Sequence, residues 1–95
     1  MPNTMTAPSF VDVKPATRKL LIVDDSPHVT DALSRLLMID GYEVVAFNAA
    51  LPALEYVRAN PVAGAILDIH IPDLSGLIVS QQLRMLIGEE APIII

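Results

Sequence analysis

The chain has 95 residues, 53% of them hydrophobic, a formal net charge of −5 and no cysteine. That length suits one small domain with one core, and the lack of cysteine excludes a disulfide framework and a thiolate zinc centre. Its six Lys and Arg residues are scattered among eleven Asp and Glu, so no basic stripe matches a nucleic-acid backbone. Mean hydropathy is +0.52, which argues against disorder, yet no apolar run approaches the roughly 18 residues that span a bilayer. No basic segment precedes an apolar one at the N-terminus, so nothing points to secretion and a soluble cytoplasmic chain is the expectation.

Residues 1–17, MPNTMTAPSFVDVKPAT, hold three prolines among polar residues without sustained periodicity and read as a flexible leader. Within it, Phe10–Val13 could be a short extended piece. Regularity begins at Arg18. KLLIV, residues 19–23, is a short apolar run of strand length, of the kind expected where both faces of a strand are covered. Two adjacent carboxylates follow, Asp24 and Asp25, then Ser26, which suits a helix N-cap, and Pro27, which suits the first helical position. Val29, Ala32, Leu33, Leu36 and Leu37 fall on one helical face, with His28, Thr30, Asp31, Ser34 and Arg35 expected to face away. Gly41 supplies the stop.

The cycle then repeats. YEVVAF reads as a second strand, and residues from about 50 to 60 as a helix with Ala50, Ala53, Leu54 and Val57 inward. AGAILDI is a third strand ending at Asp68, followed by the turn HIPDLSG. A third helix covers about residues 77–87, with Val79, Leu83 and Leu86 inward, Gly88 as its stop, and PIII opening a fourth strand. Met38 and Met85 read as fillers of the core or its boundary. Strands alternating with helices at this spacing indicate βαβ units and a parallel sheet.

In an open parallel sheet, ligand sites gather at the carboxyl ends of the strands, near the point where strand order switches. If the first and third strands are neighbours, Asp24, Asp25 and Asp68 converge on one crevice. Like charges that close repel, and a hard divalent cation such as Mg2+ resolves the conflict through oxygen ligands. A carboxylate in such a place can act as a nucleophile toward a phosphoryl group. The same residue types also serve as ordinary caps and turns, so residues 24–27 taken alone favour plain helix initiation over a site.

The joint pattern is more specific. LLIVDD resembles the acidic pair that ends the first strand in the receiver domain of bacterial two-component response regulators, and LDIHIPDLSG resembles that family's phosphoacceptor segment, with Asp68, Pro72 and Gly76 in matching order and spacing. Residues 18–95 resemble the family throughout. The resemblance implies an α/β, flavodoxin-like doubly wound parallel sheet of order 2-1-3-4-5, of which about four strands and three helices are present. It implies that Asp68 accepts a phosphoryl group from a histidine kinase or phosphotransfer protein. It further implies that Asp25 and Asp68 bind Mg2+ directly, Asp24 largely through water, and His70 through its backbone carbonyl, with Pro72 and Gly76 shaping the turn. The His70 imidazole is a poor candidate ligand because magnesium disfavours nitrogen. His28 reads as a solvated residue on the polar face of the first helix.

The family's strand-four Ser or Thr and strand-five Lys would lie past Ile95. An uncovered fourth strand and first helix lead to the expectation of a homodimer that joins strand edges or exchanges elements. Two alternatives stand beside the phosphoacceptor: a receiver-like interaction module that cannot switch, and a phosphatase of the haloacid dehalogenase type. The latter wants a second Asp two residues after its nucleophile, where this chain has His70.

Overall fold

Strand and helix alternate along residues 18–95, the part of the chain that the computed structural model describes: β1 (Lys19–Val23), α1 (Pro27–Ile39), β2 (Glu43–Phe47), α2 (Ala50–Ala59), β3 (Gly64–Leu67), α3 (Gly76–Ile87) and β4 (Ile93–Ile94). The leader assigned to residues 1–17, with its Phe10–Val13 piece, lies outside the described residues. The four strands pair in parallel in the order β2-β1-β3-β4. The chain therefore moves outward from β1 to β2 and then crosses back to place β3 on the other side of β1. That reversal is the switch point of a doubly wound sheet. Among the described residues, no helix is long and apolar enough to cross a membrane.

Alternation along each strand divides the side chains between two faces. Leu21, Val23, Ala65 and Leu67 point to the face covered by α2 and α3, where they pack with Ala50, Ala53, Leu54, Val57, Val79 and Leu83 in one buried cluster. The four inward positions expected of α2 are all buried. In α3 the stripe runs Val79, Leu83, Ile87, with Ile87 packed against the core, while Leu86 is exposed. The expectation for Leu86 fails because a step of four residues, not three, keeps the end of α3 over the sheet. Met38 and Met85 are also exposed, so neither fills the core.

The other face carries α1, and here the sequence pattern misleads. Thr30 is the buried residue of α1, Leu33 and Leu37 are half-buried beside it, and Val29 and Leu36 are exposed. The helix is thus rotated so that the stripe facing the sheet runs Thr30, Leu33, Leu37. Burial of a hydroxyl is tolerable when it is hydrogen-bonded, and Thr30 Oγ1 donates to Pro27 O at 3.1 Å. The helix ends behave as read. Ser26 caps the first turn through a bond from Val29 N–H, and Pro27 occupies the first position. Gly41 (φ 92°) closes the C-terminus with a Schellman pair, Gly41 N–H to Met38 O and Tyr42 N–H to Leu37 O.

β4 is short, and its approach is held from α3. Ala65 N–H donates to Pro92 O at 3.0 Å ahead of the β4 ladder. Arg84 Nη1 gathers the carbonyls of Gly88, Glu89 and Ala91, at 3.0, 3.1 and 2.5 Å. One guanidinium thereby satisfies the α3–β4 connection where the helix dipole favours a cation. Replacement of Arg84 by Met keeps the stem and removes these bonds. The urea midpoint should fall by the equivalent of about 1–3 kcal/mol at unchanged slope, and the Ala65 amide should lose exchange protection before the amides of β1.

Candidate functional site

β1 and β3 lie side by side in register, Val23 against Leu67, so the residues that follow them emerge together. Asp68 N–H donates to Val23 O at 2.8 Å, and Asp24 N–H donates to Phe47 O at 3.1 Å. The ladder thus continues one rung beyond the strands and seats Asp24 between its two neighbours. Asp24, Asp25 and Asp68 each bring a carboxylate oxygen to within 4.8 Å of the others. Asp24 and Asp68 are half-buried and Asp25 is exposed, which leaves the cluster open to solvent on one side.

Each strand-end aspartate is fixed by an amide two residues on. Ser26 N–H donates to Asp24 Oδ1 at 2.9 Å, and His70 N–H donates to Asp68 Oδ1 at 3.0 Å. These bonds set the carboxylate orientations before any ligand is present. His70 therefore adjoins the cluster through its main chain, and the residue itself is exposed. Pro72 is exposed, and no cis peptide bond occurs among the described residues. Gly76 does more than shape a turn. A Cβ there would lie 2.8 Å from Ile69 Cα and 3.2 Å from Ile69 O, so glycine is what allows the first turn of α3 to close on the backbone behind Asp68.

Two further residues hold the site's surroundings and were not singled out in the sequence. α2 has no side-chain cap of its own at Ala49. Its first two amides are met from the β3–α3 loop: Ala50 N–H donates to Asp73 Oδ1 and Leu51 N–H to Asp73 Oδ2, both at 2.8 Å. The bonds from Leu51 and then Ala50 hold the Asp73 carboxyl below its ordinary value. Asn48, just before α2, donates through Nδ2 to Asp24 O at 2.8 Å and to Thr30 Oγ1 at 3.3 Å. The signal for Asp73 was present as a vacancy, a helix start without Ser, Thr, Asp or Asn at its cap. Finding its partner required the fold, because 23 residues separate them.

The chemistry of this crevice is that of oxygen donors at a switch point, with one carboxylate, Asp68, on the strand opposite the acidic pair. Comparison with known proteins agrees. The model of the response regulator receiver domain matches residues 20–95. The response regulator MprA of Mycobacterium leprae (strain TN) is 38% identical over 77 residues, which cover 81% of this chain and 33% of MprA, so the chain spans about a third of that relative's length. Two solved structures of the response regulator TrrA from Thermotoga maritima are 32% identical. The one in complex with the histidine kinase ThkA has a TM-score of 0.72 and covers 80% of this chain and 65% of that one. The one in complex with Mg(2+)-BeF has a TM-score of 0.68, with 72% and 59% covered. From fold, acidic crevice and kinship together, the chain belongs to the response regulator receiver domain family over residues 20–95.

Proposed function

We propose that this chain is the phosphoryl acceptor of a two-component signalling system, with Asp68 as the acceptor and a histidine kinase or phosphotransfer protein as the donor. The observation that carries the proposal is the position of Asp68: it stands alone at the end of β3, across the β1–β3 rung from the acidic pair. The His70 amide engages its Oδ1, and among the described residues its Oδ2 has no main-chain bond to compete with a reaction. An Asp68 carboxylate oxygen attacks the phosphorus of the donor, the P–N bond of a phosphohistidine breaks, and the imidazole leaves with the electron pair. The product is an acyl phosphate on Asp68. The chain acts here as a signalling acceptor and not as a turnover enzyme. The complex of TrrA with ThkA and the Mg(2+)-BeF complex of TrrA support the donor class and the cation.

The donor set suits Mg2+: three carboxylates, all oxygen, with one exposed side for water. Asp25 and Asp68 would hold the ion directly, Asp24 through water, and His70 through its main-chain carbonyl, with Pro72 and Gly76 shaping the loop. When bound, Mg2+ supplies the positive charge that offsets the clustered carboxylates and the incoming phosphoryl oxygens. The proposal takes residues 18–95 as the receiver portion with residues 1–17 as its leader, and it places the chain in the cytoplasm without direct nucleic-acid contact. It includes a homodimer. Among the described residues β4 is paired on one side, to β3, and Ile94 is 60% exposed, an edge of the kind that pairs with a strand of a second copy.

Three outcomes test these statements. Mg2+ titration should show clear weakening in Asp25→Asn, and equal affinity would overturn the ligand assignment. After treatment with acetyl phosphate, borohydride trapping and mass spectrometry should place the adduct on Asp68, whereas an adduct on Asp25 or Ser26 would move the acceptor elsewhere. Sedimentation at micromolar concentration should show a dimer whose population rises with concentration, and a monomer with concentration-independent unfolding would refute it.

A further inference from the structure

We propose that the β2–α2 junction, residues 48–51, is a strut that ties the two acid-bearing loops to each other, with Asn48 and Asp73 as its positioning residues. The inference rests on the acidic cluster being the cation and phosphoryl site. Asp24 and Asp25 ride on the β1–α1 loop and Asp68 on the β3–α3 loop, and their side chains offer each other only repulsion. Without a cation, that repulsion acts to part the two loops beyond the rung that Asp68 N–H makes to Val23 O. Resistance has to come from outside the cluster.

The junction touches both loops. At one end Asn48 Nδ2 donates to the main-chain oxygen of Asp24 and to Thr30 Oγ1. Thr30, the buried polar residue of the described chain, anchors in turn on Pro27 O, so the bond from Asn48 reaches both the acidic pair and the start of α1. At the other end the amides of Ala50 and Leu51 grip both oxygens of Asp73. A carboxylate held by two amides at a helix start is favoured by charge-assisted bonds and by the helix dipole together. Asp73 is five residues beyond Asp68 on the same loop, and Gly76 closes that loop against Ile69. A displacement of the loop carrying Asp68 is therefore transmitted through Asp73 and residues 48–51 to the backbone of Asp24.

A strut has a signature that two independent caps lack: cutting either end releases the whole connection. Mg2+ affinity is read from amide shifts of residues 24–26 and 68–70 in the wild-type chain, Asn48→Ala, Asp73→Ala and the double variant. Each single variant should weaken binding by about tenfold, and the double variant by no more than the weaker single. Asn48→Ala changes no charge, so its effect cannot come from a lost carboxylate field. Asp73→Asn, which keeps one acceptor, should fall between wild type and Asp73→Ala and serves if the alanine variant does not fold. A second readout needs no metal: Asn48→Ala should speed exchange of the His70 amide, on the far side of the site from Asn48, several-fold. Unchanged affinity in folded Asn48→Ala, fully multiplicative losses in the double variant, or an unaltered His70 amide would overturn the strut. If the wild-type chain takes up no Mg2+, the site assignment fails, and the His70 exchange alone decides for or against the strut.

Discussion

The parallel rung between Val23 and Leu67 is the constraint on which the site depends. A parallel pair in this register forces the next residues of both strands to leave the sheet at the same level, and in this chain those residues are Asp24 and Asp68. A slip of one residue would send one carboxylate to the opposite face of the sheet. Register is protected by burial: Leu21, Ile22 and Val23 are completely inaccessible to solvent, so a one-residue shift would either carry the Asp24 carboxylate into Val23's covered place or draw Val23 out of it.

Around that rung the protein spends few side chains on direct support and relies on main-chain groups. The two strand-end aspartates are oriented by amides, the α3 start approaches through Gly76, and Asp73 replaces a missing local cap on α2. This arrangement suits the proposed role of the site, in which it would take a cation and a phosphoryl group. Amides offer hydrogen bonds to anionic oxygens without adding a titratable group to the crevice. The exposed position of Asp25 keeps the crevice open to solvent.

The two faces of the sheet are covered unequally. α2 and α3 bury one face around Val79 and Leu83, and α1 lies on the other, mainly over β1 and β2. An apolar groove lined by Leu20, Leu37, Ile66 and Ile94 runs beside α1 toward β4. Arg84 keeps β4 in place from the α3 side, together with Ile93, which packs against the buried core.

Much of this was legible in the amino-acid sequence. Apolar runs of strand length, amphipathic stretches and stop signals at Gly41 and Gly88 determine the order of elements, because those signals act over a few residues and need no partner. The acidic pair, Asp68 and Gly76 were legible as a spaced pattern that resembles a family. Only the tertiary structure decided the rest. The rotation of α1 that buries Thr30 could not be read, since a threonine counts as polar until the carbonyl that satisfies it is known. Leu86 and Met85 looked as apolar as Leu83, and which of them the sheet covers depends on the angle at which α3 lies. The bonds of Asn48 and Asp73 join residues 18 to 24 positions apart, and no local propensity carries such a pairing, because it exists only once β1, β2 and β3 have brought their carboxyl ends together.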